Sequence, residues 1–408
     1  MARIGPVGTG PDRRPESALA TPGEVLELIR TGRAATRAEL RQLTGMSRTA
    51  VTSRVSSLVD AGLLLTGEQL ASTGGRPPGS LIFNRHTALV LAAAIGRSRS
   101  QLAVFDLLGE ELASASVDHE VSAGPDAVMP LVANGLRQSI AGLGPGGQRP
   151  LLGIGVSLPG TVDPDRGFSI DSPVMRGWDG VKLRPYLAGL GTDVPMFLGN
   201  DADMLARSER LGHAEKFNDL LVVKASTGLG LGIIDSGRVV TGHLGSAGEI
   251  GHTKVDTAHG RHCRCGDVGC LETVAGGWAL VARMNETGHH VEHIRDLVGL
   301  ALAGDARAKQ FLRESGRRLG ELLAVAINLL NPQAVVIGGD MAAAFDVYSA
   351  GVRETVYAKA TALATRELQF LPATFGHRAG VVGCAAMTLD QVLSPDAVDA
   401  RLGQVRST

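Results

Sequence analysis

Apolar positions in the first 85 residues recur at helical spacing in three short segments, each introduced by a hydroxyl side chain. The first two segments begin with capping boxes, Thr21-Pro22-Gly23-Glu24 and Thr36-Arg37-Ala38-Glu39. Ser47 stands in the capping position before the third segment, and Gly45 supplies the turn that precedes it. This pattern predicts three helices, of which the last two form a helix-turn-helix.

Two short apolar runs follow the third helix and predict strands at residues 63–65 and 81–83. The polar segment 72–79 between them holds Arg76 among glycines and prolines, as expected of a hairpin wing. Narrow minor grooves of DNA attract an inserted arginine electrostatically. We therefore predict a winged helix-turn-helix domain over residues 21–85, after a disordered tail at residues 1–20.

The third predicted helix carries hydroxyl and guanidinium side chains on the face that its apolar residues leave outside. Such groups suit phosphate oxygens and base edges in a major groove, although an ordinary solvated face has the same composition. The wing favours DNA binding, and the scarcity of aromatic residues (3%) favours duplex over single-stranded nucleic acid. The predicted DNA-binding residues are Ser47, Arg48, Thr49, Thr52, Ser53, Arg54 and Arg76.

Apolar runs that alternate with glycine turns and helices begin near residue 86 and predict an α/β domain over residues 86–392. The last residues, 393–408, are expected to form a tail. A long helix is predicted from Ala306 to Leu330, where Asn331-Pro332 ends it. The predicted strands are 88–94, 102–106, 152–157, 196–198, 220–225, 231–234 and 334–337.

Charge is unevenly distributed between these two regions. The formal net charge is −1, but residues 1–85 carry eleven Arg, no Lys and seven acidic residues, which suits local contact with a polyanion. No apolar stretch has the length of a membrane span, and the N-terminus lacks the apolar core of a signal peptide. We therefore expect a cytoplasmic, nucleoid-associated protein without membrane contact.

Three of the four cysteines, Cys263, Cys265 and Cys270, fall within eight positions. Such crowding in a cytoplasmic protein favours a metal site over disulfides. Three thiolates with one imidazole form a closed tetrahedral zinc set, which is typical of a structural ion. Spacing alone leaves His252, His259 and His262 open as the fourth ligand.

Four motifs occur in order along the α/β domain. Residues 155–163 form a strand entering a Pro-Gly turn, and residues 226–232 form a glycine-rich turn that is able to cradle phosphate. Gly199-Asn200-Asp201 lies between them, and Glu249-Ile250-Gly251-His252 precedes the Cys-x-Cys-Gly-x-x-Gly-Cys-x-Glu segment that ends at Glu272. This set closely resembles the ROK family of repressors, open reading frames and kinases over nearly the whole chain, including a wing like Gly75-Arg76-Pro77.

The resemblance implies an actin-like/hexokinase-like fold of two α/β lobes around a cleft, and it implies His252 as the fourth metal ligand. It also implies a sugar or sugar derivative, because carboxylates and an amide suit the hydroxyl groups of a polyol. The sugar-binding residues implied by motif match are Asn200, Asp201, Glu249, His252 and Glu272.

In family kinases an aspartate matching Asp201 is the general base, and an Asp-x-Gly-Gly-Thr loop holds phosphate. Here that loop is Ala94-Ile95-Gly96-Arg97-Ser98, without the aspartate and with arginine in place of a glycine. Asp340 follows Gly338-Gly339 where small residues are usual, Gly199 replaces a frequent Glu, and Asp203 replaces a frequent Asn. Residues 174–178 also depart from a common Asn before Gly-Trp. Phosphoryl transfer depends on positioning and charge neutralisation, so we expect no enzyme and no ATP or Mg²⁺.

These patterns together predict a regulator, most simply a repressor, that binds operator DNA. Its DNA binding is coupled to the binding of a sugar or sugar-phosphate effector. We expect a homodimer or homotetramer with a structural Zn²⁺ in each chain. Two other hypotheses remain: an active sugar kinase with a DNA-binding head, in which Asp201 is the base, and a sugar-binding protein whose head contacts another protein.

Overall fold

The computed structural model describes residues 20–67, 79–163, 166–170, 175, 177–191, 194–212 and 216–405. It divides into two compact units: Met1–Thr87 with Gln391–Thr408, and Ala88–Asp390. Arg76 lies outside the described residues.

Three helices and a two-stranded antiparallel sheet make up the N-terminal part of the first unit. The helices are α1 (Pro22–Arg30), α2 (Arg37–Thr44) and α3 (Arg48–Asp60), and the strands are β1 (Leu64–Thr66) and β2 (Leu81–Phe83). Both predicted capping boxes are present, and Ser47 Oγ accepts a hydrogen bond from Ala50 N at 3.2 Å. Gly45 ends α2 at a φ of 68°, in the left-handed region. The predicted helices and strands are confirmed to within about one residue at each end.

The C-terminal segment contributes a helix to this unit, in the region that we expected to form a tail. Residues Pro395–Val405 form α14, which follows α13 (Ala379–Val392) and packs against α1. Asp399 Oδ1 accepts a hydrogen bond from Gly23 N at 2.8 Å, and a Cβ at Gly23 would lie 2.1 Å from the carbonyl oxygen of Pro395.

Two five-stranded sheets with the same pattern form the second unit. The first sheet has the order β5-β4-β3-β6-β9 and the second β12-β11-β10-β13-β14. In each sheet an antiparallel meander of three strands is extended by two parallel strands. The strands of these two sheets are β3 (Leu89–Ile95), β4 (Arg99–Phe105), β5 (Glu111–Asp118), β6 (Leu151–Leu158), β9 (Met196–Asn200), β10 (Leu220–Ala225), β11 (Leu229–Asp235), β12 (Arg238–Val240), β13 (Ala334–Gly338) and β14 (Gln369–Pro372). Strands β7 (Val162–Asp163) and β8 (Phe168–Ser169) form a separate two-stranded antiparallel sheet.

Helices cover both sheets, and each sheet has its own apolar core. One core surrounds the first sheet and includes the buried Trp178, and the other includes Tyr348 beside the second sheet. The predicted long helix is confirmed from Ala306 to Leu330, where Asn331 adopts a left-handed conformation. The helices of the second unit are α4 (Pro125–Gly142), α5 (Arg184–Leu187), α6 (Asp201–Glu209), α7 (Glu272–Ala275), α8 (Gly277–Glu286), α9 (Ile294–Leu302), α10 (Ala306–Leu330), α11 (Phe345–Lys359), α12 (Ala362–Thr365) and part of α13.

The parallel strands and the turns of the meanders end where polar residues are concentrated. Asn200 ends β9, Lys224 is the penultimate residue of β10, and Asp340 follows the Gly338-Gly339 turn after β13. Ligands commonly bind outside the carboxyl ends of strands in open α/β sheets. None of the described helices combines the length and the apolar character needed to cross a membrane.

Candidate ligand-binding cleft and metal cluster

A cavity of about 980 Å³ is lined by residues from both sheets of the second unit and from the cysteine-rich segment. All five predicted sugar-binding residues lie in its wall: Asn200, Asp201, Glu249, His252 and Glu272. Their convergence from three separate segments of the chain is a property of the fold. A concave site with several convergent polar groups is the ordinary form of a small-molecule site.

Asn200 and Asp201 are positioned by the junction of β9 and α6. Asn200 Oδ1 accepts a hydrogen bond from Asp203 N at 2.7 Å and so caps α6, while its amide nitrogen keeps its donors. Asp201 Oδ2 accepts a hydrogen bond from Lys224 Nζ at 2.5 Å. Asp201 therefore carries its negative charge within an ion pair.

Lys224 is a residue of the cavity wall that was not among those predicted from the sequence. It is the one charged side chain in the otherwise apolar strand β10, and that interruption was the signal that would have identified it. Nearby Asp201, Asp340 and Glu272 raise its pKa against the opposing effect of burial. The ammonium group stays charged because the attraction of these carboxylates, above all of its ion-pair partner Asp201, outweighs the effect of burial.

Glu272 is held in the cavity wall by two hydrogen bonds. Its Oε1 accepts a hydrogen bond from Leu229 N at 2.6 Å, and its Oε2 accepts one from Trp278 Nε1 at 3.2 Å. A Cβ at Gly228 would lie 2.5 Å from Glu272 Oε1, so this close approach requires glycine. Each carboxylate oxygen keeps a lone pair, so the fixed group is able to accept from a ligand hydroxyl.

Burial and neighbouring carboxylates raise the pKa values of Glu249 and Asp203. Burial raises the pKa of Glu249, with His252 lowering it and Asp201 and Glu272 raising it further. Asp203 is only 6% exposed, and burial raises its pKa to about 7, although Arg207 acts in the opposite direction. Asp203 therefore takes up a proton near neutral pH.

The glycine-rich turn at Ser226–Gly228 faces an internal carboxylate. Ser226 Oγ donates a hydrogen bond to Asp340, and Arg295 Nη1 lies 3.9 Å from Asp340 Oδ1. Thr227 Oγ1 lies 3.3 Å from His293 Nε2. The hydroxyl groups of Ser226 and Thr227 are thus engaged with the protein's own side chains.

His252, Cys263, Cys265 and Cys270 form a compact cluster beside the cavity. Their ligand atoms all lie within 4.8 Å of one another, and both Cys263 Sγ to His252 Nδ1 and Cys265 Sγ to Cys270 Sγ measure 3.7 Å. Zinc–sulfur bonds of about 2.3 Å in a tetrahedron require sulfur atoms roughly 3.8 Å apart. The cluster fits a tetrahedral metal ion, and His252 supplies its imidazole, whereas His259 and His262 lie outside it.

In the first unit, the predicted DNA-binding residues of α3 fall on one side of the helix. Ser47, Arg48, Thr49, Thr52 and Ser53 are exposed, while Val51, Val55 and Leu58 are buried. Arg54 is half-buried, and its Nε donates a hydrogen bond to Ala20 O at 3.4 Å. Five of the six described residues are therefore accessible to a partner.

The ROK family model matches residues 90–391 of the chain. A similar curated protein is the DNA-binding transcriptional dual regulator NagC of Escherichia coli K12, with 29% identity over 85% of this chain and 86% of that protein.

Two solved structures are similar to different lengths of the chain. A ROK family transcriptional regulator that is a homologue of the E. coli MLC protein covers 93% of this chain and 98% of its own, with 27% identity and a TM-score of 0.77. A ROK family glucokinase from Streptomyces griseus, in complex with glucose and AMPPNP, covers 74% of this chain and 99% of its own, with 26% identity and a TM-score of 0.62. The second unit therefore has the actin-like/hexokinase-like fold, and the likeness to the regulator extends over more of the chain.

Proposed function

The chain belongs to the ROK family, and from that premise we propose that it is a transcriptional regulator, a repressor in the simplest case, that responds to a sugar or sugar derivative. The observation that carries this proposal is the exposed polar face of α3, directly after the Gly45 turn. The likeness to regulators over most of the chain supports it. The first unit, a winged helix-turn-helix in this proposal, binds duplex operator DNA.

Side chains on the α3 face have separate tasks in this proposal. Arg48 suits bidentate contact with a guanine edge or a phosphate, whereas Thr49, Thr52 and Ser53 suit shorter contacts with phosphates and bases. Arg76 enters the minor groove from the wing. Two heads of a homodimer or homotetramer read two half-sites, and effector binding in the cleft changes operator affinity by a reciprocal coupling.

Several contacts in the cleft oppose kinase activity. A general base must take a proton from the substrate, but Asp201 is paired with Lys224 at 2.5 Å. The glycine-rich turn contacts Asp340, whose charge opposes a nucleotide phosphate, and Arg97 replaces a glycine of the kinase phosphate loop. ATP and Mg²⁺ have no role in this proposal.

Zinc is the ion that we propose for the His252-Cys263-Cys265-Cys270 cluster. Three thiolates and one imidazole leave no open coordination position, so the ion has a structural role. It fixes the segment that places Glu249, His252 and Glu272 in the cavity wall. Metal analysis of the purified protein should find one zinc ion per chain.

The proposed function is tested by fluorescence anisotropy on labelled DNA from upstream of the protein's own gene, with and without a panel of sugars. We expect a specific complex whose affinity falls steeply with salt and falls at least tenfold in Arg48→Ala and in Arg76→Ala. Arg307→Ala is the matched control, because Arg307 is exposed in the second unit, and it should bind normally. No complex under any condition, together with sugar-dependent ATP consumption, would establish the kinase alternative instead.

A further inference from the structure

Two arginines in the cleft wall have no ion-pair partner in the described part of the chain. The basic side chains Lys224, Arg295 and Arg99 already have carboxylate partners, namely Asp201 at 2.5 Å, Asp340 at 3.9 Å and Asp118 at 2.6 Å. Arg97 and Arg264 line the same cavity, and no carboxylate of the described residues lies within ion-pair distance of either.

Arg264 is held in a defined orientation. Its guanidinium lies over the Trp278 ring, 4.6 Å from the ring centroid, and Trp278 Nε1 in turn donates to Glu272. A guanidinium stacked on an aromatic face keeps its N–H donors in its own plane, where they are able to bind an oxyanion. Trp278 therefore orients both a hydroxyl acceptor and an anion donor.

Arg97 is held by its backbone in a different segment of the cavity wall. It lies in the turn between β3 and β4, where Gly96 N donates to Arg99 O at 3.0 Å. Val121 N also donates to the carbonyl oxygen of Arg97 at 2.8 Å. These bonds fix the point from which a long, half-buried guanidinium extends into the cavity.

Like charges gathered in a cleft repel each other unless an anion lies between them. Burial lowers the pKa of His293 in the same wall, and Arg295 and Arg97 lower it further, against the opposing effect of Asp340 and Asp296. A bound anion would convert this repulsion into attraction, and guanidinium groups bind phosphate and carboxylate oxygens through paired, charge-assisted hydrogen bonds.

We propose that Arg97 and Arg264 bind the anionic group of the effector, and that this effector is a phosphorylated sugar. The inference rests on the proposed function and narrows its ligand class. A phosphate offers three oxygens in a tetrahedral arrangement, so two guanidinium groups from different segments are able to bind it together. A planar carboxylate has only two oxygens, and a single guanidinium group binds both of them through its paired N–H donors. The sugar hydroxyls face Asp201 and Glu272, which are already fixed by Lys224 and Trp278.

The test is calorimetric titration of the full-length, zinc-loaded protein without DNA. The probes are glucose, mannose and N-acetylglucosamine, the 6-phosphate of each, glucuronate and inorganic phosphate. We expect one 6-phosphate to bind at least tenfold more tightly than its neutral sugar and than glucuronate. Arg97→Ala and Arg264→Gln should each lower the affinity for that 6-phosphate tenfold or more. The affinity for the neutral sugar should change by no more than about twofold.

Arg261→Ala is the matched control, because Arg261 is exposed in the same segment as Arg264 but does not line the cavity. Its affinity should equal that of the native protein, and all variants should retain their zinc. A neutral sugar or glucuronate that binds as tightly as the best 6-phosphate would overturn the inference, as would undiminished binding in Arg97→Ala.

Failure of this inference is distinguishable from failure of the proposed function. If only a neutral sugar changes operator binding, the regulator proposal stands and the phosphate site does not. If a 6-phosphate binds through Arg97 and Arg264 but no DNA complex forms, the site stands and the regulator proposal does not.

Discussion

Two carboxylates of the cleft, Glu272 and Asp340, are used in opposite ways, and they mark the two halves that we propose: a hydroxyl-binding half at Glu272 and a former phosphate half at Asp340. Glu272 is fixed by Leu229 N and Trp278 and keeps lone pairs that face the cavity, as a hydroxyl-binding group should. Asp340 instead contacts Ser226 at the glycine-rich turn and lies near Arg295. The first carboxylate keeps acceptor positions toward the cavity, whereas the second is engaged by Ser226 and Arg295 where, in our proposal, a nucleotide phosphate is excluded. A cleft can therefore retain one half of a site while internal contacts close the other half.

The largest expected effect comes from the metal cluster, whose segment carries His252, Arg264 and Glu272 of the cavity wall. Cys265→Ser removes one of four ligands, so we expect loss of the metal and a destabilisation of several kcal/mol, because metal binding is coupled to folding of the site. Metal analysis and thermal unfolding measure both effects. Cys384→Ala is the control, since Cys384 is buried away from the cluster, and it should retain the metal. Normal metal content in Cys265→Ser would refute the ligand assignment.

Asp203 tests the cost of burying an acid directly behind the cavity wall, two residues after Asp201. Its folded-state pKa of about 7 exceeds the ordinary value of 3.8, so the native state holds a proton that the unfolded chain releases. Stability should therefore fall as the pH rises from about 4 to about 7, by about 4 kcal/mol at most. Asp203→Asn should remove this dependence and be more stable than the native protein at pH 8, but not at pH 4. Denaturant unfolding at several pH values measures this, with exposed Asp235→Asn as the control.

Glu272→Gln should weaken the binding of the effector by about 2 kcal/mol, roughly 30-fold. An amide in place of the carboxylate turns one acceptor into a donor that faces Leu229 N or Trp278 Nε1, so a buried polar group loses its partner. Calorimetric titration with the best ligand of the sugar panel measures the loss. An unchanged affinity would mean that the ligand does not contact this half of the cleft.

Asp340→Ala should change the affinity for the effector least, by no more than about twofold in the same titration. The reason is that Asp340 contacts Ser226 and Arg295 and belongs to the half that we propose to be closed. Nucleotide binding, followed with a fluorescent ATP analogue, is the second measurement. A large loss of effector affinity in Asp340→Ala would erase the distinction between the two halves.

Local signals predicted much of the fold. Thr21, Thr36 and Ser47 cap their helices as expected because a capping hydrogen bond closes within three residues of the cap. Strand β10 and helix α10 were predicted at their observed ends, since both are defined by nearby turn and stop residues. Strand β4 begins three residues earlier than predicted, because Arg99–Gln101 are polar residues that pair with β5. Such pairing is a contact between segments and leaves no local hydrophobic pattern.

Helix α14 shows a local signal that we did not use. Ser394 Oγ accepts a hydrogen bond from Ala397 N at 3.3 Å, and Pro395 follows directly as the first helical residue. The Ser-Pro start is visible in the sequence. Its packing against α1, some 370 residues away along the chain, is not visible there.

The sequence by itself determined the helix caps, the apolar strands, the cysteine spacing and the set of carboxylates, because each depends on residue type and short spacing. Only the tertiary structure decided which groups meet: Lys224 with Asp201, Asp340 with Ser226, and Trp278 with both Glu272 and Arg264. These pairs join segments that are remote in sequence, apart from Trp278 and Glu272. Their energies depend on distance and burial, and both are set when the two sheets and their connecting segments pack around one cavity.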